Sequence, residues 1–115
     1  MKLAYMAHPV SGNVEENLKS AKRWLRWLTE SREEPMTFIA PWITDCEIWD
    51  DSRPGDRALG LARCMEVISR CDELWIVGGR ISDGMRQEIA HAKRHDITTV
   101  NLTEMGSCPP PRTYD

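Results

Sequence analysis

The chain has 115 residues, of which 41% are hydrophobic and 29% charged, and its formal net charge is −3. This length fits one compact domain and leaves no room for a second, so residues 1–115 are expected to form a single domain. The mildly acidic charge argues against binding to duplex nucleic acid, which normally needs a basic face.

The beginning of the chain is not expected to be a targeting segment. Met1 to Tyr5 leads directly into an apolar strand pattern, without the apolar core of a signal peptide. No apolar run is long enough to cross a bilayer, so we expect a cytoplasmic protein without a membrane partner. The cysteines form no Cys-x-x-Cys pair, which indicates reduced thiols rather than a zinc knuckle or a disulfide framework; they are Cys46, Cys64, Cys71 and Cys108.

The first predicted elements are a strand and a helix. Lys2 to Ala7 is a short apolar strand, and the turn-rich residues 8–13 follow it. A helix comes next, because apolar residues recur at helical spacing from position 14 to position 28. Asn13 is its expected N-cap, with Glu16 three residues on as in a capping box.

The middle of the chain is predicted to contain a strand and then a long loop. Met36 to Ala40 is the second strand, which Pro41 ends. Residues 42–54 are acidic and loop-like, but they contain several large apolar side chains. We therefore expect this loop to cover a pocket or to contact another subunit.

The second half continues the alternation of helices and strands. Asp56 to Arg70 is the second predicted helix, and Leu74 to Val77 is a nearly all-apolar strand that belongs at the centre of a sheet. Gly84 to His95 is the third helix, and Ile97 to Leu102 is a fourth strand rich in β-branched residues. Residues 103–115 contain three consecutive prolines and are expected to form a surface tail.

This alternation predicts an α/β fold of the flavodoxin or Rossmann-like type, a three-layer sandwich with four or five parallel strands in the order 2-1-3-4. Strands one and three then lie side by side where the winding of the chain reverses, which is the expected ligand crevice. The loop of residues 8–13 and the loop of residues 79–84 should face each other across this crevice. His8 lies in the first loop, where a ligand contact and a structural role are both open.

Glu88 is the acidic residue that this prediction places in the first turn of the third helix. An acid in that position is stabilised by the helix dipole, which is a purely structural interpretation. The same position could hold an ionised carboxylate ready to attack an electrophilic carbon. The neighbouring glycines form neither Gly-x-Gly-x-x-Gly nor a lysine-bearing P-loop, which argues against nicotinamide binding and nucleotide hydrolysis.

Two histidines on the third predicted helix raise the question of a metal. His91 and His95 are four residues apart on one helix face, but the adjacent glutamate of a metalloprotease motif is absent. We expect them to be surface or partly buried histidines, with metal binding kept as the alternative. No metal and no cofactor are predicted.

Four segments carry a resemblance that extends over most of the chain: Leu3 to Ala7, Gly55 to Arg57, Cys71 to Leu74, and Ser82 to Ala92. Together they resemble the nucleoside 2-deoxyribosyltransferase-like family, which includes 2'-deoxynucleoside 5'-phosphate N-hydrolases and small phage-encoded relatives. The last segment is the most specific of the four.

The resemblance implies a site and a ligand. Glu88 would be the nucleophile that attacks C1' of the sugar, and Tyr5 would orient it. Asp72 would bind the base edge or deliver a proton to it, and Ser82 would contact a 5'-phosphate. The ligand would be a nucleoside or nucleotide, and the other residues expected to bind it are His8, Pro9, Gly12, Trp42, Arg57, Gly84 and Met85.

The expected function is cleavage or transfer at the N-glycosidic bond of a (deoxy)nucleoside or its 5'-monophosphate, and the motifs do not separate hydrolase from transferase. The alternatives are a protein that binds or sequesters a nucleotide in the same crevice, with Glu88 only as a hydrogen-bond acceptor, and a protein that acts through interactions alone. At least a homodimer is expected, because four tryptophans carry more aromatic surface than a small core readily encloses; they are Trp24, Trp27, Trp42 and Trp49.

Overall fold

The computed structural model describes residues 1–49 and 53–111, and its elements alternate between strands and helices. The strands are β1 (Lys2–Ala7), β2 (Met36–Ile39), β3 (Glu73–Ile76) and β4 (Thr98–Asn101). The helices are α1 (Val14–Glu30), α2 (Pro41–Ile48), α3 (Pro54–Ile68) and α4 (Asp83–Arg94), and a short 3-10 helix covers Thr103–Met105. Among the described helices, none has both the length and the apolar character needed to cross a membrane.

The four strands form one parallel sheet in the order β2-β1-β3-β4, which confirms the predicted α/β fold and strand order. Strand β1 is central, so Tyr5 pairs in register with Ile39 on one side and Leu74 on the other. The described helices flank this sheet, and β1 and β3 lie side by side at the reversal of winding. The fold therefore places a crevice at the carboxyl ends of these two strands.

The first helix forms as its sequence predicts. The Asn13 side chain accepts a hydrogen bond from the Glu16 backbone N–H at 3.3 Å, which satisfies one of the free donors at the helix start. Ala21, Trp24 and Leu28 are fully buried on one face of α1, whereas the charged residues occupy the opposite face. This apolar stripe fixes α1 against the sheet.

The prediction of an acidic loop over residues 42–54 is wrong for residues 42–48, because these belong to helix α2. Pro41 is the first helical residue, where a missing N–H costs nothing and the fixed φ favours a helix. Trp42 and Ile43 are buried, and Trp42 Nε1 donates a hydrogen bond to the Met6 carbonyl at 2.8 Å. Tertiary packing of these two side chains therefore holds a short helix whose sequence looks loop-like. Positions 50–52 lie outside the described residues.

The tryptophans are enclosed to a greater extent than expected. Trp24 and Trp42 belong to the core and Trp27 is half-buried, so of the four residues only Trp49 is exposed, at 44%. The expectation that the core cannot enclose these side chains is therefore wrong for Trp24 and Trp42. The homodimer stays a prediction, and it now depends on exposed apolar residues around α2 and α3, namely Ile48, Trp49 and Leu59.

The C-terminal segment is attached to helix α1 through one carbonyl group. Ser107 is exposed, but its backbone oxygen accepts hydrogen bonds from Trp24 Nε1 and from Ser20 Oγ, both at 3.0 Å. A Cβ on Gly79 would lie 2.9 Å from the Ser107 nitrogen, so the segment also packs against the loop after β3. Residues 112–115 of the predicted tail lie outside the described part of the chain.

The two loops predicted to face each other do meet. Gly78, directly after β3, has a φ of +102°, and a Cβ there would lie 2.6 Å from Pro9 Cδ and 2.8 Å from His8 Cδ2. Arg80 Nη2 donates a hydrogen bond to the Ser11 carbonyl at 2.8 Å, which joins the loops a second time. The close approach depends on a glycine at position 78.

Candidate active site

A pocket of about 390 Å³ opens beside the first loop, between helices α2, α3 and α4. This volume is in the range of pockets that bind small molecules. Eight residues of the predicted site line it: His8, Gly12, Trp42, Arg57, Ser82, Gly84, Met85 and Glu88. The fold therefore brings together most of the residues that the sequence indicated, from four separate parts of the chain.

Glu88 and Tyr5 form the buried centre of the site. Glu88 is on α4 and only 8% exposed, and the fully buried Tyr5 reaches it from the middle of β1. The Tyr5 hydroxyl donates a hydrogen bond to Glu88 Oε2. The structure thus places the two residues as the resemblance implies, with the tyrosine fixing one oxygen of the carboxylate.

The environment of this pair shifts the pKa of both side chains. Burial raises the pKa of Glu88 to about 7, although the hydrogen bond from Tyr5 partly opposes the shift. Burial, and next the charge of Glu88, hold the pKa of Tyr5 well above its usual range. Cys64 also lines the pocket, and burial raises the pKa of its thiol to about 11. Near neutral pH, Glu88 is therefore the group of these three that changes its charge.

The prediction that Glu88 lies in the first turn of its helix is wrong. Helix α4 begins at Asp83, so Glu88 lies in the second turn and the first-turn acid is Asp83. The effect of the helix dipole falls off within the first turn, so it does not account for the position of Glu88. The hydrogen bond from Tyr5 and the open pocket do account for it.

Asp72 does not line the pocket, and its predicted contact with a base stays a prediction that the geometry does not support. It precedes β3, at the amino end of the sheet, whereas the pocket lies beyond the carboxyl ends of the strands. Its Oδ2 accepts a hydrogen bond from the Leu3 backbone N–H at 2.8 Å. Asp72 therefore joins the start of β1 to the chain entering β3, which is a structural role.

His8 lines the pocket, but both of its ring nitrogens have protein partners. Nδ1 donates to the Pro9 carbonyl at 2.7 Å, and Nε2 lies 3.1 Å from Ser20 Oγ. Burial lowers the pKa of His8, which favours the neutral ring. Its ring stacks near Trp42, with centroids 6.2 Å apart and planes 15° apart. A ligand can therefore contact its carbon surface, whereas Pro9 is buried beside it and packs against the loop after β3.

Ser82 is the N-cap of α4 and also lines the pocket. Its hydroxyl accepts a hydrogen bond from the Met85 backbone N–H at 3.3 Å. The Asp83 side chain is 91% exposed and pairs with Arg86 at 3.0 Å. The charge that would repel an anion at this turn is thus directed to solvent, and both interpretations of Ser82, cap and ligand contact, fit the geometry.

Eleven of the pocket residues were not predicted, and they include Asp45, Trp49, Asp56 and Cys64. Asp45, on α2, and Trp49, directly after it, fall in the segment interpreted as a loop, so their positions beside the pocket could not be assigned from the sequence. Cys64 and Ile68, four residues apart on α3, are both buried. That spacing was the available signal for Cys64.

The histidine pair at the end of α4 has a structural explanation. His91 Nε2 lies 2.9 Å from Ser69 Oγ, and the rings of His91 and His95 are 4.4 Å apart. Within residues 1–49 and 53–111, no three His, Cys, Asp or Glu side chains are grouped so that they could hold a metal ion.

Comparison with known proteins identifies a family. No curated protein matches the chain. A family model described as a domain of unknown function, DUF7768, matches residues 2–102, which include every strand and the whole pocket. The chain therefore belongs to the DUF7768 family.

Proposed function

We propose that the protein cleaves or transfers the N-glycosidic bond of a (deoxy)nucleoside or nucleoside 5'-monophosphate, with Glu88 as the nucleophile. The observation that carries this proposal is the Glu88 carboxylate, which lines a pocket of ligand size and is held by Tyr5. The resemblance to the nucleoside 2-deoxyribosyltransferase-like family supports the same two residues.

The proposed reaction is a double displacement. An ionised Glu88 oxygen attacks C1' while the bond from C1' to the base nitrogen breaks, and the bonding electron pair leaves with the base, which takes up a proton. A covalent glycosyl-enzyme results. Tyr5 holds the other carboxylate oxygen and so keeps the attacking oxygen directed into the pocket.

The second step separates the two possible products. In a hydrolase, water attacks C1', its proton is released, and Glu88 regains its negative charge as the free sugar leaves. In a transferase, a nitrogen of a second base attacks the same carbon. The buried Trp42 lines the pocket and offers an aromatic surface against which a base can stack in either case.

A second candidate function is nucleotide binding without turnover. The observation that favours it is the position of Asp72, because the group that would have protonated the leaving base lies at the other end of the sheet. In such a protein Glu88 would only accept hydrogen bonds from the ligand.

Base release is the experiment that separates the two functions. The protein is incubated with a panel of nucleosides, deoxynucleosides and their 5'-monophosphates, and free base is measured by chromatography. Free base that increases with time supports the proposed function. Saturable binding without free base supports the second candidate, and neither binding nor release contradicts both.

We expect the pH profile of the wild-type protein to rise through about pH 7. Glu88 must be ionised to attack, and its pKa in the folded protein is about 7. Below that value, kcat/KM should fall by about tenfold per pH unit, because only the ionised fraction reacts. Initial rates of base release between pH 5 and pH 9 measure this, and a flat profile between pH 5 and pH 7 would contradict it.

We expect a 5'-monophosphate to bind about tenfold more tightly than the bare nucleoside, which is the value of one or two charge-assisted hydrogen bonds. The Ser82 hydroxyl and the free N–H groups at the start of α4 would supply these bonds. Ser82→Ala should reduce the preference for the monophosphate over the nucleoside and leave the affinity for the nucleoside nearly unchanged, as measured by calorimetry. Equal wild-type affinities for the two ligands would show that Ser82 is only a helix cap.

A further inference from the structure

Three carboxylates line the pocket, and they differ in their hydrogen-bond partners. Glu88 accepts a hydrogen bond from Tyr5. Asp45, on α2, accepts a hydrogen bond from Arg63 Nη2 at 3.1 Å, which also neutralises its charge. Asp56 is the third carboxylate, and its Oδ2 is shielded from solvent without a hydrogen-bond partner among the described residues.

Within residues 1–49 and 53–111, the surroundings of Asp56 do not supply the missing donor. The side chain is 17% exposed at the third residue of α3, and Arg53 Nε forms an ion pair with Oδ2 at 3.7 Å, which is beyond hydrogen-bond distance. A buried carboxylate oxygen without a donor is costly, and such groups in proteins usually have a partner that completes them. Because the terminal torsion of aspartate is soft, the carboxylate can rotate to offer either oxygen to a group in the pocket.

We propose that Asp56 is a specificity-determining residue, which accepts a hydrogen bond from an O–H or N–H group of the ligand. The inference rests on the proposed function, under which the ligand is a nucleoside. The donors of a nucleoside are the sugar hydroxyls and the amino or ring N–H groups of the base; in adenosine they are the sugar hydroxyls and the amino group. A ligand without the matching donor leaves the Asp56 carboxylate without that hydrogen bond, and a site of this kind rejects such a ligand.

Analogues that each lack one donor test the inference. The parent protein carries Glu88→Gln, which prevents turnover, and calorimetry gives its affinity for adenosine, purine riboside, and the 2'-, 3'- and 5'-deoxyadenosines. We expect Asp56→Ala to weaken adenosine binding by about 10- to 100-fold, the value of one hydrogen bond to a charged group. One analogue should bind the parent and Asp56→Ala equally. That analogue is the one that lacks the donor bound by Asp56. If it is purine riboside, the donor is the amino group of the base. If it is one of the deoxyadenosines, the donor is the hydroxyl that this analogue lacks.

Glu16 provides the matched control. It is also the third residue of its helix, α1, and pairs with Lys19 at 3.6 Å, but it is 63% exposed and away from the pocket. Like Asp56→Ala, Glu16→Ala removes a carboxylate from the first turn of a helix and its interaction with the helix dipole. Because Glu16 does not line the pocket, we expect all five affinities to stay within about twofold. If Asp56→Ala does not fold, Asp56→Asn takes its place. It keeps the side-chain volume and should also lower the affinity for adenosine.

The outcomes separate this inference from the proposed function. Asp56 variants that bind all five compounds as the parent does, or lose the same factor for each, overturn the role of Asp56 and leave the nucleoside site standing. A parent protein that binds none of the five, and none of the nucleosides and 5'-monophosphates of the base-release panel, overturns both.

Discussion

Glu88→Gln is expected to lower the rate of base release by roughly a thousandfold or more, while the protein still folds. Glutamine keeps the shape of the side chain and can still accept a hydrogen bond from Tyr5, but it cannot form the glycosyl-enzyme. Chromatography of free base, with circular dichroism as the check on folding, measures the effect. A folded variant that releases base at the wild-type rate would exclude the covalent mechanism.

The same substitution is expected to stabilise the fold above pH 7. The pKa of Glu88 is about 7 in the folded protein and 4.5 in a model peptide, so the unfolded chain loses this proton first as pH rises. Stability from this group is therefore fully present below pH 4.5 and is lost between pH 4.5 and pH 7, by up to about 3 kcal/mol. Glutamine carries no charge and avoids the loss.

Urea unfolding at pH 5 and pH 8 tests this second effect. The gain in free energy of unfolding from Glu88→Gln should be larger at pH 8 than at pH 5, because only ionised Glu88 is penalised by burial. An equal gain at both values would show that Glu88 ionises without cost in the folded protein.

The parts of the fold that followed from sequence are those with strong periodicity. Strand β1 and helix α1 have clear apolar patterns and a capping residue, Asn13, and the parallel order followed from the alternation of strands and helices. Helix α2 did not follow, because eight residues give few turns to show a period. Its stability comes from burial of Trp42 and Ile43, which depends on the sheet beneath them.

The candidate site could likewise be predicted only in part from the sequence. Glu88 and Tyr5 were indicated by motif, and the fold brings them into contact from α4 and β1. Asp72 was assigned by motif as well, but an aspartate before a strand lies at the amino edge of a parallel sheet, away from the crevice. Asp56 faces the pocket because of how α3 packs beside α2, which no local pattern encodes.

Gly78→Ala is expected to destabilise the protein by about 3 kcal/mol or more, the combined cost of a left-handed backbone for alanine and an overpacked contact. The φ of Gly78 is +102°, and the added Cβ would lie 2.6 Å from Pro9 Cδ. Proline cannot rotate away, so the two loops that meet at the crevice would have to separate.

The matched control for Gly78→Ala is Gly55→Ala. Gly55 lies in the first turn of α3, where an added Cβ meets nothing within 4 Å and φ is not positive. Alanine there should be neutral or stabilising by up to about 1 kcal/mol, because it favours the helix. Urea unfolding of both variants gives the two free energies. A Gly78→Ala protein as stable as Gly55→Ala would mean that the loops after β1 and β3 are not held in contact, and the pocket that their contact positions would lose its structural basis.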